Sequence, residues 1–273
     1  MRIPAAHRLV QGAGAFNNLL AAQERAELDP DAGVVVASGG NAGLAHAFAA
    51  AELGFPATVF VPETAPAVKV ERLRRVGAEV RQVGEEYAEA RAAADEFAAR
   101  TGALLGHAYD QVPVAAGAGT VAEEILRDEP SIGTIVVAVG GGGLLAGVLA
   151  AAEGRARVVG AEPRTASTLR TALDRGGPVD VDVAGVAADA LGARRIGEIC
   201  FDTASRVGVT SVLVEDDDVV EARAQLWRDY RIATEHGAAV AHAALRSGAH
   251  VPDPDERVAV VLCGANTDPS TLT

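Results

Sequence analysis

A chain of 273 residues, about half of them hydrophobic, can bury one large core or two modest ones. Its net charge of −13 argues against a nucleic-acid or anionic-membrane partner. With no apolar run of membrane-spanning length, no signal peptide and only Cys200 and Cys263 as thiols, a cytoplasmic location is expected.

In chain order, Ala13 to Glu27 is an Ala/Leu-rich helix, closed by the turn Leu28–Gly33. Gly33 to Ala37 is an apolar strand that runs into Ser38-Gly39-Gly40-Asn41-Ala42-Gly43, and a helix follows from Ala42 to Leu53. A second strand covers Ala57 to Pro62, and Pro66 opens a helix that ends near Gly77. Glu79 to Val83 is a strand, Glu85 to Thr101 a helix, and Ala103 to His107 a short strand. A domain join is expected near Asp110 to Pro113, followed by a helix from Gly117 to Asp128. The strand ending Val136-Val137-Ala138-Val139 leads into Gly140-Gly141-Gly142-Gly143 and then a helix from Leu144. Strands at Arg157–Glu162, Ser211–Val214 and Val258–Leu262 alternate with helices after Ala166, near Gly197–Arg206, at Asp217–Tyr230 and from Glu235-His236-Gly237. Such alternation implies α/β architecture with parallel sheets flanked by helices.

Four consecutive glycines between a strand and a helix let backbone N–H groups approach an anion with no Cβ in the way. The helix N-terminus adds partial positive charge. The loop lacks the Lys-Ser/Thr of a P-loop and the spacing of a dinucleotide fingerprint. Two further strand ends, Ser38–Asn41 and Cys263-Gly264-Ala265-Asn266, are also unusual. Ligands gather at the carboxyl ends of strands in open α/β sheets, so the three read best as one site.

From Ala15 onward the chain resembles the fold-type II pyridoxal-phosphate (PLP) enzymes (tryptophan synthase β-like), in the serine/threonine dehydratase branch. The motifs are Ser38 to Gly43, Phe60-Val61-Pro62, Gly77-Ala78-Glu79-Val80, Gly117-Ala118-Gly119-Thr120, Gly140 to Leu144, Gly160-Ala161-Glu162-Pro163, Ala188-Asp189-Ala190-Leu191 and Val261-Leu262-Cys263-Gly264. The resemblance implies two α/β domains: a small one over 14–112 and a large PLP-binding one over 113–273. It implies that Gly140, Gly141, Gly142, Gly143 and Leu144 hold the cofactor phosphate and that Asn41 meets its phenolate oxygen. Ser38, Gly39 and Gly40 would take the substrate carboxylate, and Cys263 would face the pyridine nitrogen. A neutral thiol there makes the ring a weaker electron sink, which favours prompt β-elimination.

Three departures narrow this expectation. Racemases of the branch carry a serine at the position of Gly39, so racemisation is not expected. Relatives that bind a divalent cation use a Glu, a backbone carbonyl and an Asp. Glu162 and Ala166 match, but Thr168 stands at the Asp, and one carboxylate is a poor cage, so no metal is expected. The family's imine-forming lysine lies in a Ser-Phe-Lys-x-Arg-Gly-Ala segment, and alignment through Gly14-Ala15-Phe16-Asn17 puts Gln11 there, or Leu9 after a shift of two. The single lysine, Lys69, falls in a helix where the family often has a surface lysine.

Ala5 to Ala13 can be back-translated so that reading one base later gives Gln-His-Thr-Gly-Ser-Phe-Lys-Ala, the family's lysine segment. A frameshift near Ala13 and Gly14 is therefore expected, with residues 1–13 out of frame and the upstream part of the large domain missing. Resequencing that locus tests it. The expected activity, by resemblance, is a PLP-dependent lyase of amino-acid metabolism that converts L-serine or L-threonine to a 2-oxo acid and ammonia. The chain as written would be inactive for want of the lysine. The alternatives are a non-catalytic module that binds PLP or an amino acid, and another fold-type II β-replacement enzyme. Family members are commonly homodimers.

Overall fold

A computed structural model describes residues 11–272 of the chain. Leu9, and the part before Gln11 of the segment expected to be out of frame, lie outside the described residues. The chain divides into two compact units after Gly117.

The first unit holds α1 (Gln11–Glu24), β1 (Val34–Ala37), α2 (Asn41–Leu53), β2 (Ala57–Val61), α3 (Ala67–Arg75), β3 (Glu79–Gln82), α4 (Tyr87–Thr101) and β4 (Leu104–Gly106). Its four strands are parallel, in the order β3-β2-β1-β4. Strand alternation distributes β1 between two cores. Val34 and Val36 pack with Ala15 and Leu19 of α1, Ala45 and Ala49 of α2 and Leu73 of α3. Val35 and Ala37 pack on the other face with Phe60, Ala90 and Ala94. Burial on both faces is why β1 reads as an unbroken apolar run and β2 is interrupted only by the buried Thr58.

α5 (Val112–Asp128) begins five residues before the helix that the sequence places at Gly117. Pro113 fits its first turn because helix N–H groups there have no intrahelical acceptor to lose. The segment read as a join near Pro113 is therefore partly helical, and the boundary between units falls inside α5.

The second unit contains β5 (Ile132–Ala138), α6 (Gly143–Ala152), β6 (Arg157–Pro163), α7 (Thr168–Arg175), the short α8 (Ala188–Leu191), α9 (Glu198–Val207), β7 (Thr210–Val214), α10 (Asp216–Tyr230), α11 (His236–Arg246) and β8 (Arg257–Val260). Its parallel sheet has the order β7-β6-β5-β8. β8 ends two residues earlier than its apolar pattern implies, although the Val261 N–H still donates to the Val136 carbonyl at 3.0 Å.

The two sheets share one topology. In each, three strands are laid down in one direction and the fourth returns to the far side of the first. The order reverses between β1 and β4 in one unit and between β5 and β8 in the other. Diverging connections at such a point open a crevice at the carboxyl ends of the strands.

Candidate phosphate and cofactor site

The tetraglycine follows β5 and Cys263 follows β8, so both lie at the switch point of the second unit. Gly142 caps α6 with φ +91°, a left-handed conformation that glycine adopts without strain. A Cβ there would stand 2.5 Å from Cys200 Sγ and 2.7 Å from Ile196 Cδ1, and one on Gly140 would press on the backbone of Leu191. The loop is therefore packed from behind, so that Gly140 is required by space and Gly142 by both space and conformation.

The first three carbonyls of the loop are engaged within the unit. Gly140 O accepts from Thr168 Oγ1 at 2.6 Å, Gly141 O from the Gly197 N–H at 3.0 Å, and Gly142 O from the Ala146 N–H at 2.8 Å. In a trans peptide the N–H points opposite to the C=O, and no peptide among the described residues is cis. The N–H groups of Gly141, Gly142 and Gly143 are thus turned away from those partners, at the N-terminus of a ten-residue helix. Donors fixed in this way, with the positive helix end behind them, fit a phosphate.

Cys263 is buried, and its thiol is pushed up to about 12, first by burial and then by the Glu235 carboxylate. It is a neutral S–H at any working pH. Glu235, which the sequence marked only as a helix opening, caps α11 and lies against Gly264, where a Cβ would collide with its carboxylate. Nothing in the spacing of Glu235 and Cys263 revealed that meeting, because the approach of α11 to the end of β8 creates it.

Glu162, at the end of β6, is fully buried. Its carboxylate accepts the Leu169 N–H at 2.7 Å and the Arg170 N–H at 2.9 Å, which closes the start of α7. Burial pushes its pKa up to about 7 against those bonds, which pull it down. Thr168 Oγ1 stands 3.2 Å from Glu162 Oε1 as well as 2.6 Å from Gly140 O. A hydroxyl has one proton, and the carbonyl, which can only accept, takes it at the shorter distance. The longer contact to Glu162 Oε1 is the weaker of the two that the hydroxyl makes. No group of three or more His, Cys, Asp or Glu side chains arranged to hold a metal occurs among the described residues. His242 pairs with Gln225 at 3.2 Å.

In the first unit, Ser38, Gly39, Gly40 and Asn41 follow β1, beside its switch point with β4. Ser38 Oγ accepts the Gly40 N–H at 3.3 Å, and Gly40 caps the thirteen-residue α2. Gly43 lets the helix pass against the Ser38 carbonyl, where any Cβ would collide. On the other side of that switch point, His107 Nδ1 accepts the N–H groups of Tyr109 and Asp110 at 3.2 and 2.9 Å. The sequence had treated that turn only as a connection.

Gln11 is the first residue of α1, partly buried, and its Oε1 is buried with no hydrogen-bond partner. α1 packs on α2 and the edge strand β4, whereas Lys69 is on α3, against the opposite edge strand β3. Lys69 therefore does not occupy the place of Gln11. The outward N–H groups of the loop fit the phosphate of a PLP cofactor.

A parallel α/β unit with a glycine loop turned outward at its switch point is the frame of a phosphate-binding protein. The chain belongs to the family described as pyridoxal-phosphate dependent enzymes, which matches residues 12–264, and pyridoxal phosphate is the cofactor of that family. The chain is 35% identical over 271 residues to an L-threonine ammonia-lyase of Geobacter sulfurreducens, covering 96% of this chain and 67% of that protein. It is 33% identical over 269 residues to a biosynthetic L-threonine dehydratase of Haemophilus influenzae, covering 96% of this chain and 51% of that one. It thus spans about half to two thirds of the length of these relatives. Among solved structures, the processed threonine deaminase isoform 2 of Solanum lycopersicum superposes with a TM-score of 0.88 at 29% identity, covering 97% of this chain and 77% of that one. The fold is that of the fold-type II PLP enzymes, in the serine/threonine dehydratase branch.

Proposed function

We propose that this chain is an L-serine/L-threonine ammonia-lyase by descent, and that in the form written it holds PLP by its phosphate without an imine bond. The observation that carries the reading is the tetraglycine loop, whose three inward carbonyls aim three N–H groups outward, together with Gln11 at the lysine position. The names of the relatives support serine or threonine as the substrate class. When bound, PLP supplies an electron sink for the Cα of an amino acid.

The residues of the chain divide the work. Gly141, Gly142 and Gly143 donate to the phosphate, with Gly140 and Leu144 framing the loop. Asn41 offers its side-chain amide to the phenolate oxygen, and Ser38, Gly39 and Gly40 take the substrate carboxylate at the start of α2. Cys263, a thiol held neutral with a pKa of about 12, presents a weak S–H to the ring nitrogen and leaves it unprotonated. With PLP bound, such a thiol would favour β-elimination. Gly39 has no proton to deliver to the second face of Cα, which disfavours racemisation. Gln11 carries no basic nitrogen, so it neither anchors the cofactor nor removes the Cα proton. In this reading residues 14–112 form the small domain and 113–273 the PLP-binding domain of a cytoplasmic homodimer.

The missing amine favours a second reading, a non-catalytic module that binds PLP or an amino acid. One experiment addresses both. Titration with PLP, followed by absorbance, should show saturable binding without an imine band, and Gln11→Lys should create that band. Release of 2-oxo acid from L-threonine and L-serine by the Gln11→Lys protein would support the lyase reading. A band without release would favour the binding module. An imine band in the unaltered chain that is lost in Lys69→Arg would overturn both.

A further inference from the structure

We propose that Thr168 is a positioning residue for the tetraglycine loop: its hydroxyl holds the Gly140 carbonyl inward, keeps the Gly141 N–H presented to a phosphate, and makes the loop independent of divalent cations. The inference rests on the phosphate reading of the loop given above.

Thr168 is fully buried and opens α7, two residues beyond a short 3-10 turn over Arg164–Ala166. Its Oγ1 donates to Gly140 O at 2.6 Å, across 28 positions of sequence. Gly140 is the first residue of the loop, and its peptide sets the direction of the first donor. Rotation of that peptide would turn a carbonyl oxygen, rather than an N–H, toward an anion. Glycine offers no side-chain resistance to such a rotation, so the restraint has to come from a partner.

Thr168 is itself held in place. Glu162 ties the start of α7 through the Leu169 and Arg170 N–H groups, and a second contact of 3.2 Å joins Glu162 Oε1 to Thr168 Oγ1. Gly141 O is restrained independently by Gly197. A cation at this point would need several oxygen ligands around it. A hydroxyl that already bridges Glu162 and Gly140 O uses the oxygens such an ion would require.

The test compares the unaltered chain with Thr168→Val, which keeps the shape and removes the hydroxyl, and Thr168→Ser, which restores it. Affinity for inorganic phosphate and for PLP would be measured by calorimetry, with the 31P resonance of bound PLP as a second readout. Thermal unfolding without ligand would be recorded in parallel. Thr168→Val should weaken both affinities about tenfold, the effect of losing one buried hydrogen bond, and should shift the 31P resonance, with Thr168→Ser returning both toward the parent. Chelation by EDTA, or added Mg²⁺ or Ca²⁺, should leave the parent affinity unchanged. Parent-like binding by Thr168→Val overturns the inference, as does a tenfold response of the parent to EDTA or to either cation. Should Thr168→Val fail to fold, Thr168→Ala, which also removes the hydroxyl, takes its place, and parent-like binding by it overturns the inference. Absence of phosphate and PLP binding in the parent overturns the phosphate reading, and the inference with it.

Discussion

Glu162 and Thr168 are six positions apart, and a buried contact joins their side chains beside the Gly140 carbonyl. Because burial raises the folded pKa of Glu162 from 4.5 to about 7, its carboxyl favours folding most while neutral. Its contribution to stability is therefore complete below about pH 4.5 and is lost as pH rises through 7. The folded state binds more protons than the unfolded state across that window. The loss has an upper bound of about 3 kcal/mol. Glu162→Gln, whose amide does not titrate, should lack this dependence, so any stability gap in favour of the parent is largest in acid. The gap should narrow as pH passes from 4.5 to above 7. Thermal melts at several pH values measure it, and a constant gap would contradict the burial argument. The motif Gly160-Ala161-Glu162-Pro163 was legible as a family signature, whereas the role of Thr168 was legible only as a missing carboxylate. Sequence shows what is absent at a position more readily than what a hydroxyl there touches.

At the scale of elements, three strands of the second unit are joined at their starts by one carboxylate. Glu256, just before β8, accepts from Thr134 Oγ1 on β5 at 2.5 Å and pairs with Arg157 on β6 at 2.7 Å. The Arg157 hydrogen bond, with Thr134 behind it, lowers the Glu256 pKa from 4.5 to about 2. This contribution has the opposite sign to that of Glu162: it is present above pH 4.5 and lost as pH falls toward 2. Arg157 is 63% exposed, so solvent screening leaves the pair with only a small share of the energy a buried pair would have. Glu256→Gln should lower the midpoint of thermal unfolding at neutral pH by about 2–4 °C and be indistinguishable from the parent near pH 2. Strand positions were readable from their runs of Val, Ile and Ala, while the ends shifted by a residue or two. The largest shift, at α5, arose because Pro113 reads as a breaker in sequence but is accommodated in a first helical turn.

For the whole molecule, both thiols are buried, Cys200 behind the tetraglycine and Cys263 at the end of β8. A thiol reagent should react slowly with the native chain and with two equivalents in denaturant. Rapid native labelling of Cys200 would mean that the loop's backing opens readily. The helices and strands of both units, the expectation of an anion at Gly140 to Gly143 and the lack of an amine at Gln11 follow from the sequence itself. They depend on local propensity, on glycine's missing Cβ and on the identity of one side chain. The reversal of strand order at β1/β4 and β5/β8, the meeting of Glu235 with Gly264 and the capture of the Gly140 carbonyl by Thr168 were decided by tertiary structure. Each depends on which strands pair and where the crossover helices land, and hydrogen-bond partners separated by dozens of residues are fixed only when the sheet sets their distance.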